Sequence, residues 1–118
     1  MNIDRTHWVC AVAFMQEKRI QYYDSFGADG MEYLRAIMQY IKDEHMDKKK
    51  SPLPDEADWK LVPCQSDTPH QLNGYDCGVF TCMFADFVSK DCPLVFGQDH
   101  ITLCRERIAL SILIGKGL

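Results

Sequence analysis

The chain has 118 residues, 47% hydrophobic and 25% charged, with a formal net charge of -4, which describes one globular domain over residues 1–118 with a modest core. The acidic balance excludes a binder of nucleic-acid phosphates, whose Lys and Arg would dominate one face, and no apolar run reaches bilayer-spanning length, so no membrane role is expected. Residues 1–6 lack the pattern of a signal peptide, so a cytosolic or nuclear setting is expected, in which the six cysteines stay reduced.

Residues 7–14 (His-Trp-Val-Cys-Ala-Val-Ala-Phe) form an almost unbroken, partly β-branched apolar run and read as a strand covered on both faces. Gln16-Glu17-Lys18 is a polar turn, and residues 19–24 read as the return strand of a hairpin, ended by Ser25-Phe26-Gly27. Over residues 31–46, apolar positions 31, 34, 38 and 41 recur at helical spacing with charges between them. The charged, proline-bearing stretch 47–56 reads as an exposed connection, its three consecutive lysines solvated, and a short strand is expected over 59–63.

Residues 64–75 are polar and include Pro69 and Gly74, as in a long surface loop, a kind that is often functional. The pairs Val79/Phe80, Met83/Phe84 and Phe87/Val88 then repeat every four residues, predicting a core helix over 76–90. A last helix is expected over 98–114, with Ile101, Cys104, Ile108 and Ile112 on one stripe. His45, His70 and His100 lie in polar surroundings and are expected at the surface.

Cys77 falls where the loop turns into the helix. The unpaired N–H groups and positive end of a helix favour thiolate, the nucleophilic form of cysteine. A thiol nucleophile needs a base and a group that orients the base. A hairpin turning near residues 15–18 sets His7 nearly opposite Asp24, so Asp24 could fix the imidazole tautomer while the other ring nitrogen takes the thiol proton. Gln71, six residues before Cys77, could donate to an oxyanion beside the Cys77 backbone N–H. Gly78 suits crowding by substrate or neighbouring backbone, and Asp76 suits a helix cap. Each residue also has a structural reading: His7 as a satisfied strand histidine, Asp24 as a strand terminator, Cys77 as a small core residue, and Trp8 as either core or a wall beside the base. No metal site is expected, because no Cys-x-x-Cys occurs and Cys77 and Cys82 point to different sides of a helix.

Taken together, His7-Trp8, Tyr22-Tyr23-Asp24-Ser25, Gln71-Leu72-Asn73-Gly74 and Asp76-Cys77-Gly78-Val79-Phe80-Thr81-Cys82 resemble the SUMO-specific (sentrin-specific) protease family of cysteine peptidases. Phe84-Ala85-Asp86, Pro93 and Arg105-Glu106-Arg107 resemble the end of that family's domain. The resemblance implies an α+β fold of the papain-like superfamily, with a hairpin and small sheet packed against three helices. It implies no cofactor, and cleavage after the Gly-Gly terminus of SUMO, in deconjugation from target lysines, in precursor maturation, or in both. The partners are then SUMO or a related ubiquitin-like protein and its conjugates, in the nucleus, the cytoplasm or both. By the same resemblance Cys77 is the nucleophile, His7 the base, Asp24 the orienting carboxylate and Gln71 the oxyanion donor, while Trp8 and Gly78 bind substrate. Two departures accompany it. Only six residues precede His7, so the chain is expected to be the second part of such a domain, and Tyr75 stands where the family usually has a smaller residue. Proteolysis of another ubiquitin-like modifier, or modifier binding by a truncated non-catalytic domain, are the alternatives.

Overall fold

In a computed structural model, which describes residues 1–117, the strands are β1 (Asn2–Ile3), β2 (His7–Trp8), β3 (Cys10–Phe14), β4 (Arg19–Tyr23) and β5 (Lys60–Val62), and the helices α1 (Met31–Lys49), α2 (Cys77–Ser89) and α3 (Ile101–Ile114). Single 3-10 turns at Glu56–Asp58 and Gln98–His100 lead into β5 and α3.

The expected strand over 7–14 divides at Val9 because its two parts pair with different partners. Residues 7 and 8 pair antiparallel with β1, and Val9 continues that ladder through backbone bonds to Met1, whereas Cys10 to Phe14 pair antiparallel with β4. β5 then joins β4 in parallel, from Arg19↔Lys60 to Gln21↔Val62. The sheet order is β3-β4-β5, which puts β3 at a margin. None of its residues is fully buried, so the expectation of a strand covered on both faces does not hold.

β4 lies in the middle and its alternation divides the core. Ile20 and Tyr22 point to one side, where Val9 and the α1 residues Leu34 and Met38 cover them. Tyr23 points to the other, into a cluster with Phe80, Met83 and Phe84 of α2, Phe96, and Ile101 and Cys104 of α3. The chain enters α1 through Gly30, whose φ of +74° is left-handed and where a Cβ would lie 2.2 Å from the Tyr22 ring. Both observations require glycine.

Two helix ends depart from expectation. α1 runs on through Lys49, three residues into the stretch read as an exposed connection, and Lys48 and Lys49 in its last turn favour the negative end of the helix dipole. α3 buries Ile101 and Cys104, but Ile112 on the same stripe is 75% exposed and lines an open cleft with Cys82, Met83 and Asp86 of α2.

Candidate active site

The β3–β4 ladder ends at Cys10↔Tyr23, and the next residue on the β4 side, Asp24, emerges beside the strand that carries His7. Their side chains meet: His7 Nε2 lies 2.6 Å from Asp24 Oδ1, with Asp24 fully enclosed. Asp24 Oδ1 also accepts the Phe26 backbone N–H at 2.8 Å, and the Phe26 ring stacks on the imidazole with centroids 4.4 Å apart at 22°. The carboxylate and the ring therefore set the orientation of His7. Because a carboxylate oxygen accepts, the neutral imidazole carries its hydrogen on Nε2 and keeps its lone pair on Nδ1. Nδ1 is buried and has no hydrogen-bond partner among the described residues. A buried acceptor left open costs stability.

Cys77 is the first residue of α2, a buried free thiol at the end of the helix where backbone N–H groups are unpaired. The helix packs against β2 and β3, which brings its start to His7-Trp8. A Cβ on Gly78 would stand 3.9 Å from Trp8 Cδ1. No hydrogen bond joins Nδ1 to the thiol. The crowding expected at Gly78 is not supplied by the protein: the Trp8 contact is an ordinary one and φ is not left-handed, so the space above this residue is open to a ligand. Trp8 is 49% exposed and so is not core; it stands beside Gly78.

Gln71 is held on three sides. Its Oε1 accepts from Ser25 Oγ at 2.5 Å, its Nε2 donates to the Asn73 carbonyl at 2.6 Å, and its backbone N–H donates to the Ser25 carbonyl at 3.0 Å. The Asn73 carbonyl can only accept, which settles the amide orientation and leaves one Nε2 hydrogen free for a further acceptor. Asp76 does not cap α2 with its side chain, as the sequence suggests; its carboxylate takes the Asn73 side-chain amide at 2.7 Å instead. Tyr75 stands largely exposed beside the nucleophile position.

The structure thus joins His7 to Asp24, sets the start of α2 against their strand, and locks Gln71 in the approach loop. Sequence reasoning gave no role to Ser25, Asn73 or Phe26. The first two sit inside recognised motifs, where a polar residue beside a candidate donor is a usable signal; Phe26 carries none. Among the described residues no group of three His, Cys, Asp or Glu side chains is placed to hold a metal.

Residues 1–114 match the model of the Ulp1 protease family, C-terminal catalytic domain. The chain is 36% identical over 110 residues to sentrin-specific protease 2 of Homo sapiens, covering 92% of this chain and 18% of that protein. It is 38% identical over 113 residues to ubiquitin-like-specific protease 1A of Arabidopsis thaliana, covering 96% of this chain and 22% of that one. Among solved structures it is similar to the C-terminal Ulp1 protease domain in complex with Smt3, the yeast ortholog of SUMO, with a TM-score of 0.73 and 32% identity over 97% of this chain and 50% of that one. It is also similar to SUMO protease Ulp1 with its catalytic cysteine oxidised to a sulfonic acid, with a TM-score of 0.75 and 32% identity over 98% of this chain and 51% of that one. The chain therefore spans about half the length of these solved domains and about a fifth of the curated relatives.

Proposed function

This chain belongs to the Ulp1 protease family, and from that premise we propose that it carries the catalytic residues of a thiol peptidase and isopeptidase acting after the Gly-Gly terminus of SUMO-type modifiers. The observation that carries the reading is the His7–Asp24 pair, which ties up Nε2 and leaves a buried Nδ1 without a partner among the described residues, on a strand packed against the helix that begins with Cys77.

In the proposed reaction Nδ1 takes the Cys77 thiol proton, and the sulfur attacks the carbonyl carbon of the terminal glycine. The oxyanion receives the free Nε2 hydrogen of Gln71 and the Cys77 backbone N–H. Collapse expels the lysine or peptide amine, which takes its proton from the imidazolium, and leaves a thioester between Cys77 and the modifier. Water, deprotonated by His7, then attacks the thioester and releases the modifier carboxylate and the thiol. Trp8 and the open space above Gly78 leave room for an extended Gly-Gly strand to lie close to the backbone at the start of α2. Maturation of a precursor and deconjugation of a target lysine use the same steps.

The test is a SUMO-type modifier with a C-terminal electrophile, applied to this chain and to a version carrying whatever coding sequence precedes Met1. A covalent adduct is expected, and Cys77→Ala should abolish it. No adduct in either version, or an adduct that survives Cys77→Ala, sinks the reading. Ubiquitin carrying the same electrophile reports on modifier choice, and stable binding without turnover would make the chain a binding domain instead. We further propose a nuclear or cytoplasmic place of action, in keeping with six cysteines that are all free thiols; imaging of the tagged protein checks this.

A further inference from the structure

The loop that carries Gln71 and leads into Cys77 is gripped by a polar cluster that no step of the proposed reaction uses. Asp76 is only 5% exposed, and its carboxylate receives Asn73 Nδ2 at 2.7 Å and Gln98 Nε2 at 3.0 Å on one oxygen and Arg105 Nη2 at 2.5 Å on the other. Gln98 Oε1 in turn accepts the Leu72 backbone N–H at 2.8 Å. Asn73 Oδ1 accepts the N–H groups of Tyr75 and Asp76, each at 3.1 Å. Residues 72–76 are therefore held from within by Asn73 and from outside by Gln98 and Arg105.

This cluster continues into the site. The Asn73 carbonyl receives Gln71 Nε2, and Gln71 Oε1 receives Ser25 Oγ. One line of hydrogen bonds and chain segments thus runs from the start of α3 to the loop after β4, passing through the side chain assigned to the oxyanion. Its outer anchor stands on a packed helix: Ile101 and Cys104 are buried in the aromatic cluster, and Arg105, whose own side chain is 58% exposed, follows directly. The Asn73 amide, with Gln98 and Arg105, holds the Asp76 carboxyl below its usual range in spite of burial. The carboxylate is therefore charged at neutral pH, and its bonds are charge-assisted.

We propose that Arg105 and Gln98 are positioning residues for the oxyanion arm of the site: through Asp76 and Asn73 they fix where the free hydrogen of Gln71 and the backbone N–H of Cys77 point, without touching substrate. The inference rests on the peptidase reading and concerns one arm of it. His7 and Asp24, which generate the thiolate, make no hydrogen bond to Asp76, Gln98 or Arg105 among the described residues.

Two reactions of Cys77 separate the arms. Hydrolysis of a SUMO-type modifier ending in an aminocoumarin amide passes through an oxyanion, whereas alkylation by iodoacetamide needs only thiolate. Arg105→Ala and Gln98→Ala should lower kcat about ten- to hundredfold while KM stays within about twofold. The pH profile of alkylation should not move, and Arg105→Lys, which keeps the charge but not the fork, should recover part of kcat. Gln98→Ala removes no charge, so it stands if Arg105→Ala fails to fold. Unchanged kcat in both variants overturns the inference, as does alkylation that falls in step with kcat. A wild-type protein that never turns the amide over sinks the peptidase reading and this inference together, whereas equal turnover by wild type and variants sinks the inference alone.

Discussion

On the α1 side of β4, Leu34 and Met38 cover Ile20 and Tyr22; on the other side Tyr23, Phe80, Phe84 and Phe96 meet as a ring cluster, with centroids 5.6 to 6.2 Å apart. Both packings bury apolar surface, but different things depend on them. Helix α1 carries none of the proposed chemistry. The aromatic side seats α2, whose first residue is Cys77, and α3, whose Arg105 holds the approach loop. Burial on one face stabilises the fold; on the other it also seats the two helices that carry Cys77 and Arg105, so under the proposed reaction a packing error there should be read twice, once in stability and once in reactivity.

The sharpest way to break this contrast is to truncate one large side chain on each face. Phe84→Ala should cost about 3–5 kcal/mol and Leu34→Ala about 2–5 kcal/mol in denaturant unfolding. The folded fraction of Leu34→Ala should still label with the electrophilic modifier at the wild-type rate, while Phe84→Ala should label more slowly than its folded fraction explains. Equal labelling per folded molecule would erase the distinction.

A smaller effect is expected from Asp76→Asn, read as stability against pH. The folded-state pKa of Asp76 is depressed by Asn73 and its other donors, so its contribution is complete above the unfolded value and is lost as pH falls through the folded one. Wild type should therefore lose stability below about pH 4 with a steeper slope than the variant, the two curves running parallel at neutral pH. Matching slopes in acid would show that the cluster does not grip Asp76. The smallest effect belongs to the far end of α3: Leu113→Ser, at an exposed position, should change stability by less than about 0.5 kcal/mol. A larger loss, read in the same unfolding experiment, would mean that the aromatic side extends further along the helix than its buried residues show.

What could be read beforehand follows the range of each interaction. A polar turn at 15–18 is a local signal, and the hairpin it closes carries Asp24 back to the strand of His7, seventeen positions away in sequence and 2.6 Å away in space, although His7 itself pairs with β1. The four-residue repeat of apolar pairs in α2 is equally local, and so is the placing of Cys77 at its start. The break at Val9 was not legible, because it reflects a change of pairing partner and not a change of residue type. Periodicity marked Ile112 as part of a stripe, but a stripe does not say how far the opposing layer reaches. Asp76 stands at the N-cap position, as its residue type suggests, but its side chain makes no capping bond, because Asn73 claims the carboxylate from within the loop and Gln98 and Arg105 claim it from 22 and 29 residues away. The first of these donors is near in sequence; the other two form charge-assisted bonds that only the fold brings together.

Gly30 has a consequence for inheritance. Every missense change in its codon adds a carbon that would fall within 2.2 Å of a Tyr22 ring atom, so shape disfavours any other residue at this position, whatever the reaction. Position 77, under the proposed reaction, is held by the reactivity of one sulfur. A lineage that ceased to need the reaction would drift at 77 while keeping glycine at 30, so in descendants of this gene invariance at 30 records folding and divergence at 77 dates the loss of catalysis.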